Sequence, residues 1–286
     1  MIRLIIFSKD RPLQLHGTLT SLFAHWRTAP ELLDVHVLVR GEAPFTEAYA
    51  EVRDEFEERE VFFWWEVNFA PELQHILSGA AAYTCFGCDD VVYTLPFDPS
   101  SVPSAFRDTA NLLGVSLRLG RNITRDMFGR EMAQPAFLPM WGEGEYPYDG
   151  GLCWDATDPR SVGDWGYPWE VLGTVYPSEF VRKLVDVLAK DGQAGSPSQL
   201  EHHGSTRWQE VTGRRMLRAA MSSRLVVPTV NLVQAEFPNG IVGPPSLDPL
   251  FLLECWNRGL RMDTQALMGV TPPSWRIGDF PLRRVV

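Results

Sequence analysis

The sequence has no run approaching the roughly 18 or more apolar residues that a membrane-spanning helix needs. It opens on a strand-like stretch and not on a signal-peptide layout. A cytoplasmic location with no transmembrane segment is therefore the expectation. Cysteine is scarce, four in 286 residues, and the lone Cys85-x-x-Cys88 pair has no second pair at zinc spacing. Reduced, mostly buried thiols are expected, with a zinc or redox role as the lesser alternative. Internal repeats, low-complexity tracts and an evident linker are all lacking. Basic residues are outnumbered, 26 against 36 acidic ones for a net charge of -10. That balance argues against a general nucleic-acid or anionic-membrane surface, and it leaves room for a local phosphate site.

What is present suits a folded α/β chain. Hydrophobic residues make up 45% of the sequence, ample for a buried core. The apolar run 4–7 precedes Ser8, Lys9, Asp10, Arg11 and Pro12. Leu15, Leu19, Leu22, Phe23 and Trp26 then follow at helical spacing. This reads as strand, loop and helix, with Asp10 as a cap and Pro12 in the first turn, where a missing N–H costs little. Runs 35–39 and 61–65 carry few charges, as strands covered on both faces do. Pro71 opens a helix through Leu73, Ile76, Leu77 and Ala80, and a fourth strand over 83–86 runs into Gly87, Cys88, Asp89 and Asp90. Alternating strands and helices imply parallel crossover units, in which ligands gather beyond the carboxyl ends of the strands. Asp10 and the Asp89-Asp90 pair fall at such ends.

The second half changes character. A helix is expected over 103–113, a strand over 115–119, and a helix over 179–190 that Gly192 ends. The stretch 137–176 is crowded with Gly, Pro and aromatic residues, including Trp141, Trp154, Trp165 and Trp169. One domain is expected over 1–286, with a nucleotide-binding half over 1–95, an acceptor half over 96–240 and a C-terminal extension over 241–286.

Two adjacent carboxylates after a buried strand raise each other's pKa unless a cation intervenes. A divalent ion, Mn²⁺ or Mg²⁺, resolves the repulsion and keeps positions open for substrate phosphate oxygens. A solvent-facing turn is the plainer reading of the same two residues.

Phe7-Ser8-Lys9-Asp10-Arg11-Pro12 with its following helix, and Cys88-Asp89-Asp90-Val91 after a strand, resemble the GT-A glycosyltransferases, in particular bacterial family 2-like members. Three later segments extend the resemblance. Tyr167-Pro168-Trp169-Glu170-Val171-Leu172-Gly173-Thr174-Val175-Tyr176 is similar to their acceptor-side strand, and Ser196-Pro197-Ser198-Gln199-Leu200-Glu201 to the helix start that carries their acidic base. Pro228-Thr229-Val230-Asn231-Leu232-Val233-Gln234 is similar to the segment that closes the core in some bacterial members. The resemblance implies a Rossmann-like mixed sheet flanked by helices, with donor and acceptor halves in one domain. It also implies metal-dependent, hexosyltransferase-like transfer from a nucleoside diphosphate sugar to a saccharide, lipid-linked or small-molecule acceptor, in glycan or glycolipid biosynthesis. Ser8, Asp10, Arg11 and Asp89 would border the nucleotide-sugar, and Asp90 and Asp89 would hold the metal. Cys88 departs from the family's Asp-x-Asp signature, and Leu200-Glu201 leaves one carboxylate where the family often has two.

Inverting transfer, favoured here over retaining, needs a carboxylate to deprotonate the acceptor hydroxyl. Glu201 is the first candidate, and its alternative reading is an acidic first-turn residue favoured by the helix dipole. Asp164 and Glu170 follow it. His202 is a candidate metal ligand, although Glu201, His202 and His203 lie about 100° apart on a helix and cannot all face one centre. Trp165 and Trp169 are candidate platforms for the acceptor sugar, with core packing as the default reading for either. Gly173 lies in the same acceptor-side segment. Two other functions remain open: a noncatalytic carbohydrate-binding or scaffold protein of the same fold, and a sugar-phosphate nucleotidyltransferase. The latter should carry a glycine-rich phosphate loop, which the sequence lacks.

Overall fold

The computed structural model describes residues 1–26, 32–138, 151–234, 236–237 and 247–285. Trp141 lies outside the described residues. The strands of the first half are β1 (Ile2–Lys9), β2 (Leu33–Arg40), β3 (Val61–Trp65), β4 (Tyr83–Cys88) and β5 (Val92–Tyr93). Those of the second half are β6 (Leu112–Ser116), β7 (Leu152–Asp155), β8 (Thr174–Pro177), β9 (Met216–Ala219) and β10 (Leu225–Pro228). The C-terminal part adds β11 (Leu260–Met262), β12 (Arg276–Ile277) and β13 (Leu282–Arg284). Helices are α1 (Pro12–His25), α2 (Thr46–Glu55), α3 (Phe69–Leu77), α4 (Val102–Asp108), α5 (Ser178–Lys190), α6 (Pro197–Arg207) and α7 (Pro249–Asn257).

Eight strands form one mixed sheet in the order β3-β2-β1-β4-β8-β6-β9-β7. The first four are parallel, β8 runs antiparallel to both β4 and β6, and β9 returns parallel to β6. This is the mixed α/β sheet flanked by helices that the sequence led us to expect. β1 lies inside the sheet, and Ile2, Leu4, Ile5, Ile6 and Phe7 are all buried. An apolar run without alternation suits a strand covered on both faces. β3 differs from that expectation: it is the edge strand, and Phe62 and Trp65 are exposed at 50% and 40%. Its apolar run is the aromatic flank of an edge.

Other boundaries shift for identifiable reasons. The segment expected to be helical to residue 113 leaves α4 after Asp108, and Asn111 turns with φ 57°, so β6 begins at Leu112, ahead of the expected 115. Helix α3 starts at Phe69, with Pro71 inside its first turn. Gly192, at φ 68°, follows the end of α5 in the left-handed conformation that terminates helices. Strand β7, unmarked in the aromatic stretch, pairs antiparallel with β9 through Trp154 and Leu217.

The C-terminal segment is part of the core. Met262 of β11 packs on α1 at Gly17, where an added Cβ would lie 2.8 Å from the Met262 sulfur. Accordingly α1 is buried on several faces, including Gln14, His16 and Thr18. β12 joins β10 and β5 in a second, three-stranded sheet. No described helix is long and apolar enough to cross a membrane.

Candidate active site

The parallel strands β1 and β4 end side by side, Phe7 opposite Cys88. Beyond that edge opens a cleft of about 290 Å³. Ser8 and Lys9 at the end of β1 with Arg11 just beyond it, and Cys88 at the end of β4 with Asp89 and Asp90 in the turn that follows, form part of its wall. The Asp89-Asp90 turn is tied down by its backbone: the Asp89 N–H donates to Phe7 O at 3.0 Å and the Val91 N–H to Cys88 O at 3.2 Å.

Asp89 is almost fully enclosed. Oδ2 accepts from the Ser8 hydroxyl at 3.0 Å and from the Lys9 N–H at 3.1 Å, while Oδ1 accepts from Arg11 Nη1 at 3.1 Å. The same Nη1 lies 3.3 Å from Asp90 Oδ2. Arg11 Nη2 donates to the Asn231 carbonyl. Because Ser8 gives its proton to Asp89, Tyr49 must donate to Ser8 across their 2.7 Å contact, leaving the Tyr49 oxygen to accept the Arg11 N–H at 2.9 Å. Tyr49, brought in by α2, is a supporting residue that the sequence reading missed; nothing in its local pattern marks it.

Charge follows from this geometry. Burial opposes the Arg11 charge, but Asp89 and Asp90 more than offset it and raise its pKa. Burial pushes the Asp89 carboxyl up to about 6 against the pull of Arg11, and Asp90 adds to the rise. One guanidinium cannot neutralise two buried carboxylates. The second counter-charge is Arg276 of β12, which acts on Asp90 and on Glu201. It lines the cleft with Trp275, and the sequence reading, which treated 241–286 as an extension, missed both.

Glu201 also lines the cleft. Helix α6 begins at Pro197, with the Ser196 hydroxyl capping the Gln199 N–H at 3.2 Å, as the motif implied. Glu201 therefore stands beyond the first turn, so the dipole reading of it does not hold. Burial pushes its carboxyl up to about 7, Glu170 raises it further, and Arg118, the Val171 N–H and Arg276 oppose the rise. Such a carboxyl exchanges a proton near neutrality. Its depth is set by Gly204, one turn on: an added Cβ there would lie 2.1 Å from the Trp169 indole nitrogen, which donates to Leu200 O at 3.1 Å.

Several expected site residues sit elsewhere. Asp10 turns at φ 53°, and its Oδ1 accepts from the Glu42 N–H at 3.1 Å; it neither caps α1 nor lines the cleft. Asp164 is bound through both oxygens, to Arg118 at 2.6 Å and to the Trp275 indole at 3.0 Å. Glu170 is buried, accepts from the Leu172 N–H and lies 3.9 Å from Arg118. Both are framework beneath the cleft wall and not groups in contact with its contents. Trp165 and Trp169 are fully buried: Trp165 packs on Trp154 at 4.9 Å, and Trp169 on Tyr176 at 5.1 Å. Core packing, the default reading, describes both. Gly173, at φ 106°, donates its N–H to Phe86 O at 2.8 Å and joins two strands of the sheet. His202 is exposed, its ring 4.7 Å from Phe237, and it does not line the cleft.

A divalent ion held by the acidic pair needs carboxylate oxygens that turn lone pairs toward open positions. Both Asp89 oxygens are taken, and one Asp90 oxygen faces Arg11. Burial, with Asp90 and Asp89, pushes the Cys88 thiol well above its usual pKa. Among the described residues, no group of three or more His, Cys, Asp or Glu could hold a metal ion. Arg11 stands between the two carboxylates, where an ion bridging them would stand, and the pair so arranged does not fit a bridging ion.

A mixed α/β chain with an acid- and cation-lined cleft at the carboxyl ends of its parallel strands is the class that fold and site define. No family model matches the sequence. The chain is 25% identical over 284 residues to the bifunctional glycosyltransferase pgtA of Dictyostelium discoideum, covering 91% of this chain and 36% of that protein. It thus spans about a third of the length of that relative. Among solved structures, S. aureus TarS 1-349 in complex with UDP is similar at a TM-score of 0.47 and 12% identity, over 79% of this chain and 59% of that one. Mannosyltransferase PcManGT from Pyrobaculum calidifontis, in complex with GDP-Man and Mn²⁺, gives 0.39 and 10%, over 69% and 50%. The sequence resemblance to a glycosyltransferase covers most of the chain.

Proposed function

We propose that this chain is a glycosyltransferase that binds a nucleoside diphosphate sugar in the cleft and passes the sugar to an acceptor hydroxyl with Glu201 as base. One observation carries the reading. The cleft holds a carboxyl poised near neutrality together with the cations Lys9, Arg11, Arg40 and Arg276, in a chain whose net charge is -10. A near-neutral acid in one cleft with four cations, set among the carboxylates Glu66, Asp89, Asp90 and Glu236, suits a reaction that removes a proton at one point and releases a diphosphate at another. The sequence similarity to a glycosyltransferase supports the same reading.

In the proposed step the acceptor oxygen bonds to the anomeric carbon as the bond from that carbon to the diphosphate oxygen breaks. The hydroxyl proton passes to Glu201, and the charge on the leaving diphosphate is met by the cleft cations. Direct displacement of this kind inverts the anomeric centre. Ser8 and the Arg11-Asp89 cluster would border the donor, and residues 1–95 and 96–240 would serve as donor and acceptor halves, with Arg276 contributed from 241–286. Cytoplasmic placement fits the four unpaired thiols.

Glu201→Gln tests the base. Transfer from UDP-, GDP-, CDP- and dTDP-sugars, followed by release of the nucleoside diphosphate, is expected to fall about 10²–10⁴-fold in kcat with donor affinity kept. Unchanged turnover would reject Glu201.

A further inference from the structure

We infer that Arg11 holds the cation position of the Asp89-Asp90 pair, so that the chain binds its anionic donor without a divalent metal. The inference rests on the donor reading above and departs from the metal dependence that the acidic pair suggested.

Adjacent carboxylates at a buried strand end require positive charge. Here that charge is built into the chain. Arg11 is itself buried, and its Nη1 touches one oxygen of each carboxylate, at 3.1 and 3.3 Å. Its side chain cannot withdraw cheaply. Nη2 is anchored to the Asn231 carbonyl, and the Arg11 backbone N–H is fixed on Tyr49. A divalent ion bridging the pair would have to displace Arg11 from between the carboxylates or share them with it at close range. Displacement breaks the Arg11 bond to Asn231, and sharing sets two cations side by side. Asp89 also holds the backbone at the end of β1 through Lys9 N–H, so turning its oxygens toward an ion would release that end.

The diphosphate charge still needs partners, and the cleft supplies them. Lys9 donates from its ammonium to the carbonyl of Val233 at 3.1 Å, within the field of Glu66, and has two further protons for phosphate oxygens. Arg40 lines the same cleft and is half exposed, with Glu66 at 3.7 Å. An ammonium and a guanidinium on the chain thus take the part a carboxylate-held ion would otherwise play at the phosphates.

The test combines two measurements on the full chain. Mn²⁺ is titrated into nucleotide-free protein, and the free ion is followed by its electron paramagnetic resonance signal. UDP, GDP, CDP and dTDP are titrated calorimetrically in EDTA and again in Mn²⁺. Wild-type protein is expected to leave the free Mn²⁺ signal undiminished, and the nucleotide that binds should do so with equal affinity in both buffers, within about threefold. Arg11→Met, which bares the carboxylates, is expected to take up Mn²⁺ and to gain thermal stability from it, while Arg11→Lys behaves as wild type. Stoichiometric Mn²⁺ uptake by the wild type, or a tenfold loss of nucleotide affinity in EDTA, would overturn the inference. If no nucleotide binds in either buffer, the donor reading fails, and the Mn²⁺ titration alone decides whether Arg11 closes the pair.

Discussion

Glu201 and Asp89 are carboxyls moved by the same cause to different ends. Burial raises both, yet Asp89 is gripped by three donors, whereas Glu201 has the Val171 N–H and more distant guanidinium charge. The first is structure, and the second is free to exchange a proton. The folded chain holds the Glu201 proton to about pH 7, whereas the unfolded chain releases it near 4.5. Between those values the folded state binds more protons, so this group makes stability fall as pH rises through that window. Glu201→Gln removes the dependence. Chemical denaturation should find the variant about 1–3 kcal/mol more stable than wild type at pH 8 and equal to it at pH 4. Equal stability at both values would show that the carboxyl is not strained by its site.

At the scale of elements, α6 delivers Glu201 only because the helix lies hard against Trp169. Gly204 permits that approach, and the indole bond to Leu200 O fixes its register. Gly204→Ala places a methyl in the indole and is expected to cost about 1–3 kcal/mol by overpacking, despite the better helix propensity of alanine. Thermal unfolding measures that cost, and the same variant should lose transfer activity with nucleotide affinity kept. A more stable variant would mean that the contact does not set the helix position. The Ser196-Pro197 start of α6 was implied by the resemblance of 196–201 to a known helix start, and the Ser196 cap on Gln199 accords with it. The tryptophans behind it were not: Gly and Pro around Trp165 and Trp169 resemble shaped binding loops, and only the packing shows that both rings face inward.

Across the whole molecule, the cleft is assembled from segments far apart in the chain: the end of β1 with Arg11, the turn after β4, the second turn of α6, residues 229–234 with Glu236, and β12. Asp164 ties the last of these down, holding the Trp275 indole while it binds Arg118. Arg276→Ala should therefore weaken nucleotide binding about tenfold, the loss of one charge-assisted contact, and lower the unfolding temperature, because Asp90 and Glu201 lose a counter-charge. Calorimetry and thermal unfolding on the same preparation check both halves, and unchanged affinity would remove the C-terminal segment from the donor site.

The sequence by itself determined the parallel βα half and the strand-end placement of Asp89 and Asp90, because apolar runs, helical spacing and turn residues act over a few positions. The start of the helix that carries Glu201 came from the family resemblance and not from the local pattern. Tertiary structure alone decided which acids are free and which are bound. Asp10, Asp164 and Glu170 are the same kind of residue as Glu201, yet Asp10 and Asp164 are each occupied by a donor from a distant element, and Glu170 by the Leu172 N–H with Arg118 3.9 Å away. It also decided that a guanidinium, not an open pair of carboxylates, stands at the end of β4. That pairing joins residues 78 and 79 positions apart, and electrostatic partnership depends on distance in space, which local sequence pattern does not encode.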